Sequence, residues 1–173
     1  MIFINGIQRS GTNFAHTIYE GSEQYCHPYW KHDPKMEGID PDCDRIICVI
    51  KHPITWVESI CFRNEVDIVK WFPGRSLRNE TDYLGPFKIN LHQLITTYKL
   101  FYTSWLNYDK TELVHYEDLL AKHQINRVPM SGNWDPNRRG QYIKNKAPLV
   151  PQESKDYIIS QLGNEFMKTI GYK

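Results

Sequence analysis

No apolar run in the sequence approaches the ~18 residues that a membrane-spanning helix needs. There is no internal repeat, and no Gly/Ser- or Pro-rich linker divides the chain. Nor is there a CxxC pair. Cys26, Cys43, Cys48 and Cys61 stand apart, and Cys48 and Cys61 lie in apolar segments where a reduced thiol packs as a small hydrophobe. No excess of charge marks the surface either: 21 basic against 20 acidic residues give a net charge of +1. That balance argues against a general nucleic-acid or membrane surface and implies that positive charge is gathered locally. Met1 leads almost directly into an apolar burst, without the basic and apolar regions of a secretory signal. The expectation is a soluble, cytoplasmic protein. Metal-ligand spacing is lacking as well. His27 and His32 would face opposite sides of a strand, and Asp40, Asp42 and Asp44 open like a calcium loop whose required Gly is replaced by Arg45.

What remains is a chain of 173 residues, 13% aromatic, long enough as one domain over 1–173 to bury roughly 70% of its unfolded surface. Ile2, Phe3 and Ile4 read as a strand. Gly6 opens a loop, and Phe14, Ala15, Ile18 and Tyr19 fall at helical spacing after it. A second strand is placed over Gln24 to Lys31. Arg45 to Lys51 is a continuous apolar run suited to a parallel strand covered on both faces, and Pro53 then opens a helix carrying Trp56, Val57 and Ile60. Glu65 to Asn90 is an irregular excursion with a short helix near Val66 to Phe72, and its aromatic residues suit either an acceptor cleft or packing. The stripe Leu91, Leu94, Ile95, Tyr98, Phe101, Tyr102 and Trp105 predicts a helix over Leu91 to Tyr108 and belongs to a core. Glu112 to Tyr116 reads as a buried strand turning into a short helix. Ser131 to Lys146 reads as a loop, and Pro151 to Ile170 as one amphipathic helix. This alternation predicts an α/β fold: a three-layer, doubly wound, mainly parallel sheet.

The strand, loop and helix of residues 2–20 form a phosphate-binding arrangement. Backbone N–H groups, the positive end of the helix dipole and the side chains of Arg9, Ser10 and Thr12 would converge on one anion. Gly6 and Gly11 match the two glycines of G-x-x-x-x-G, but Thr12 replaces the Lys that reaches the β- and γ-phosphates, and Asn13 replaces the hydroxyl that binds Mg²⁺. The loop therefore suits an anion without a metal, its fixed charge moved to Arg9. Ligands of doubly wound sheets sit beyond the carboxyl ends of the strands, which adds Lys31, His32 and Lys51 to the candidate set, with Ser59 two turns into the following helix.

This order of signatures resembles the P-loop-like sulfotransferases that use 3′-phosphoadenosine 5′-phosphosulfate. QRSGTNF (Gln8 to Phe14) is similar to their 5′-phosphosulfate loop. Lys31-His32-Asp33-Pro34 is similar to the segment carrying their catalytic His, one residue shorter. Lys51 and Ser59 keep the eight-residue separation of the 3′-phosphate motif. Val114 to Leu119 and Arg138-Arg139-Gly140 resemble two later motifs, the second closing over the 3′-phosphate. The resemblance implies that Arg9, Ser10, Gly11, Thr12 and Asn13 hold the 5′-phosphosulfate and that Phe14 stacks on adenine. Lys51, Ser59, Arg138, Arg139 and Gly140 would bind the 3′-phosphate. His32 would be the general base, with Arg9 and Lys31 stabilising the leaving charge and Glu20 or Glu58 as alternative bases. The acceptor would be a small molecule, sugar or peptide. Two other readings of the residues stand beside it: a P-loop kinase-like ATP enzyme, and a nucleotide-binding module without turnover.

Overall fold

The structure, a computed structural model, describes residues 2–7, 9–19, 43–63, 91–123 and 150–173. The expected strand over Gln24 to Lys31, the excursion from Glu65 to Asn90 and the loop from Ser131 to Lys146 lie outside the described residues. In chain order the elements are β1 (Ile2–Asn5), α1 (Thr12–Tyr19), β2 (Arg45–Ile50), α2 (Pro53–Arg63), α3 (Leu91–Leu106), β3 (Thr111–His115), α4 (Tyr116–His123), α5 (Gln152–Leu162) and α6 (Asn164–Thr169). They fall into two compact units: Met1–Lys51 with Trp105–Lys146, and His52–Ser104 with Ala147–Lys173. The class is α/β, with an open parallel sheet accompanied by helices. No helix among the described residues is long and apolar enough to cross a membrane.

The first unit is built on a three-stranded parallel sheet in the order β1-β2-β3. Ile2 pairs with Arg45 through to Asn5 with Cys48, and Ile46 with Thr111 through to Ile50 with His115. The β-branched run of β2 lies between β1 and β3, with both edges paired and both faces covered. Ile46 to Ile50 are fully buried. On one face Ile47 and Val49 join Ile2, Ile4, Phe14, Ala15, Tyr116 and Leu119 in a single cluster. On the other, Phe3 meets Trp105 with ring centroids 6.1 Å apart. Cys48 packs as the small hydrophobe expected, and burial pushes its thiol well above the ordinary range, which keeps it protonated.

β3 departs from expectation. It covers Thr111–His115, one residue earlier than predicted, and is half-buried with Glu112 exposed. Among the described residues it pairs with β2 alone. Its outward Glu112 takes the Arg45 guanidinium at 2.7 Å across the ladder. Tyr116, expected as the last strand residue, is instead the first residue of α4.

The second unit is helical. Pro53 occupies the first position of α2, where its missing N–H costs nothing. Trp56, Val57 and Ile60 are buried, as is the α3 stripe from Leu91 to Tyr102. Tyr98 lies at the middle of an aromatic group, 4.7 Å from Tyr102, 5.0 Å from Trp56 and 6.4 Å from Phe166. The helix expected over Pro151 to Ile170 is two helices, because Gly163 adopts φ 78° and interrupts the ladder between α5 and α6. Its own N–H still donates to the Ile159 carbonyl at 3.0 Å. Apolar spacing runs across this position unchanged, which is why it read as one helix.

Ile47→Ala should lower the unfolding free energy by about 2–5 kcal/mol, whereas truncation of the exposed Leu100 should change it by less than about 0.5 kcal/mol. Urea denaturation midpoints of the two variants check this directly.

Candidate functional site

The loop after β1 is shaped by close approach of backbones. Asn5 ends the strand fully buried, and its Oδ1 accepts the Gly6 N–H at 2.8 Å. A Cβ on Gly6 would lie 2.6 Å from the Val49 carbonyl oxygen and 2.5 Å from Ser10 Oγ, so only glycine lets the loop press against β2. The chain then turns, with the Ser10 N–H donating to the Ile7 carbonyl at 3.0 Å and Arg9 held at φ 73°. A left-handed arginine costs about 1–2 kcal/mol, and such strain persists chiefly where function retains it. Gly11 follows at φ 104°, and its carbonyl accepts the Ala15 N–H at 3.1 Å, starting α1.

Two features of this loop would suit an anion. Ser10 is fully buried and its Oγ, enclosed against Gly6, has no hydrogen-bond partner, which costs about 1–3 kcal/mol unless a ligand supplies one. The first turn of α1 also carries no acidic side chain of its own to offset the positive end of its dipole.

The sheet register sets the place of Lys51. Ile50 is level with His115, so continuing both strands by one residue sets Lys51 beside Tyr116. The Lys51 ammonium accordingly stands 4.2 Å from the centroid of the Tyr116 ring. Burial lowers the Lys51 pKa to about 8; Arg9 pushes the same way, and Glu117, one residue beyond Tyr116, opposes them. Arg9 and Lys51 are thus near enough to repel, which a shared or adjacent anion would relieve.

The structure brings Arg9, Ser10, Gly11, Thr12, Asn13 and Lys51 into this one unit. Phe14 is different. It is 1% exposed, packed in the apolar cluster and set edge-on to Tyr116 at 6.0 Å, so it presents no open face for the adenine stacking expected of it. An aromatic residue at the third position of α1 points down onto the sheet because Ile4 and Val49 lie there. Ser59 belongs to the second unit, and its hydroxyl donates to the Thr55 carbonyl of its own helix at 2.8 Å. Glu58, the alternative base, faces the Lys155 ammonium at 3.7 Å within that unit. Lys31, His32, Glu20, Arg138, Arg139 and Gly140 lie outside the described residues. Sequence reasoning passed over Tyr116 and Glu117 as site residues, although both follow a parallel strand and the rule that gathered Lys51 would have gathered them.

No family model, curated protein or solved structure matches the chain. Among the described residues no three His, Cys, Asp or Glu side chains come together as a metal site.

Lys51 sets a pH dependence whose sign is fixed. Its folded value lies below the ordinary 10.5, so the charged form costs stability below about pH 8, and the cost is relieved as pH rises from about 8 toward 10.5. Anion binding needs the charged form. Sulfate affinity should hold steady from pH 7 to about 8 and fall above it, with the fall absent in Lys51→Met; titration calorimetry at several pH values measures both.

Proposed function

We propose that the protein is a sulfotransferase moving the sulfuryl group of 3′-phosphoadenosine 5′-phosphosulfate to a hydroxyl or amine, on a doubly wound, P-loop-like sheet. One observation carries this reading: an anion loop with an orphaned buried hydroxyl and two mutually repelling cations, Arg9 and Lys51, but with Thr12 and Asn13 where a nucleoside-triphosphate loop needs its Lys and its Mg²⁺ hydroxyl. Such a site suits a ligand with two separate anionic groups and no metal.

On this reading Arg9, Ser10, Gly11, Thr12 and Asn13 hold the 5′-phosphosulfate, with the Ser10 hydroxyl gaining the partner it lacks. Lys51 serves the 3′-phosphate, the role that the resemblance also gives Arg138, Arg139 and Gly140. His32 takes the proton from the acceptor atom as that atom attacks sulfur, a task suited to a group with an unperturbed pKa of about 6.5. Sulfuryl transfer resembles phosphoryl transfer in its loose transition state, so charge gathers on the departing phosphate oxygen. Arg9 and the first N–H groups of α1 stabilise it there, with Lys31 as a further cation. Phe14 keeps no role toward adenine, because its ring belongs to the core.

Thermal unfolding with 3′-phosphoadenosine 5′-phosphate, 5′-AMP and Mg²⁺-ATP tests the donor site. At one hundred times its dissociation constant the bisphosphate should add about 2.7 kcal/mol, or about 5–10 °C, and the gain should vanish in Arg9→Ala and Lys51→Ala. A rise with Mg²⁺-ATP and none with the bisphosphate would sink this reading in favour of a kinase-like enzyme. Once an acceptor is found, His32→Ala should slow transfer by about 10²–10⁴-fold with bisphosphate binding intact; an undiminished rate would remove His32 as the base.

A further inference from the structure

Tyr116 is 8% exposed and makes three contacts that concern the anion site. Lys51 Nζ stands over its ring at 4.2 Å. At Gly11 the loop backbone comes so close that a Cβ there would collide with the Cδ2 and Cε2 side of the ring. Phe14, from the first turn of α1, meets it edge-on at an interplanar angle of 79°. The ring cannot turn away from any of these without opening the core it shares with Ala15 and Leu119.

We propose that Tyr116 is a positioning residue of the anion site, its ring tying the Lys51 ammonium to the loop backbone at Gly11 so that one side chain sets both cation and cradle. The proposal rests on the reading of this loop as an anion site and adds a residue that the loop motif does not include. Its physical content is the ring quadrupole. A negative π-face attracts an ammonium that has lost water, and the attraction grows with desolvation. Among the described residues, the charged groups that act on Lys51 are Arg9 from the loop, which repels it, and Glu117 from the first turn of α4, which attracts it. Without the π-face, repulsion from Arg9 and loss of water would release the proton or turn the lysine away, and the loop would lose its second cation. The tyrosine hydroxyl plays no part in this, so phenylalanine should serve equally well.

The test is a titration of the full chain with selectively ¹³C-labelled lysine, read by NMR without ligand, followed by calorimetry with 3′-phosphoadenosine 5′-phosphate. In Tyr116→Leu the Lys51 resonance should titrate about one pH unit lower than in the unsubstituted protein, and bisphosphate affinity should weaken about three- to tenfold. Tyr116→Phe should restore both. Since Tyr116 is a core residue, Tyr116→Leu could fail to fold, and phenylalanines of increasing ring fluorination at this position keep the shape while draining the π-face. A stepwise fall of the Lys51 pKa along that series supports the proposal. An unchanged Lys51 titration in Tyr116→Leu or across the fluorinated series overturns it, since ring shape alone would then account for the contact. Failure of the unsubstituted protein to bind the bisphosphate would instead remove the sulfotransferase reading and leave the ligand-free titration to decide the role of Tyr116.

Discussion

The burial of β2 on both faces is the constraint from which the rest of the first unit follows. A strand with Ile46 to Ile50 sealed from water can satisfy its backbone only through the parallel ladders to β1 and β3. Those ladders fix the levels of the three strand ends. Lys51 emerges beside Tyr116 because Ile50 is level with His115, and Gly6 must be a glycine because Val49 passes beneath it. A slip of one residue in β2 would turn Ile47 and Val49 to the opposite face and carry Lys51 away from Tyr116.

That rigid ladder tolerates a cluster of locally unfavourable features. A left-handed Arg9, an unpartnered Ser10 hydroxyl and a desolvated Lys51 each cost folding free energy, and they gather at the carboxyl ends of β1 and β2. Packing around Ile47, Val49, Phe14 and Tyr116 offsets those costs. An anion would give the Ser10 hydroxyl a partner and relieve the repulsion between Lys51 and Arg9. Features of this kind seldom collect by chance at a place where parallel sheets bind ligands.

Much of the architecture was legible in residue order. β1, β2 and α2 follow from apolar runs and from Pro53, and α3 from seven apolar residues at helical spacing. Errors arose where periodicity carries no information. Gly163 breaks a helix through its backbone conformation while the apolar spacing continues past it. Tyr116 reads as a strand residue because an aromatic after Leu113 and Val114 prolongs the pattern, yet the strand ends at His115. β3 reads as buried by composition, whereas it is half-buried and, among the described residues, paired on one side only. Phe14 shows the same limit from the other side. A motif places an aromatic beside the loop, but whether its ring faces a ligand or the sheet depends on the helix's rotation over Ile4 and Val49.

The sequence by itself determined the alternation of strand and helix, the glycine spacing of the loop, and the chemical character of Arg9, Ser10 and Lys51, because each of these is a local matter of side-chain type and backbone freedom. Only the tertiary structure decided that Lys51 lies over Tyr116, that Arg9 and Lys51 repel, that Ser10 is left without a partner and that Phe14 turns inward. Those outcomes depend on the register between strands far apart in the chain and on what water each group loses in the assembled core, and neither quantity is written in any short stretch of residues.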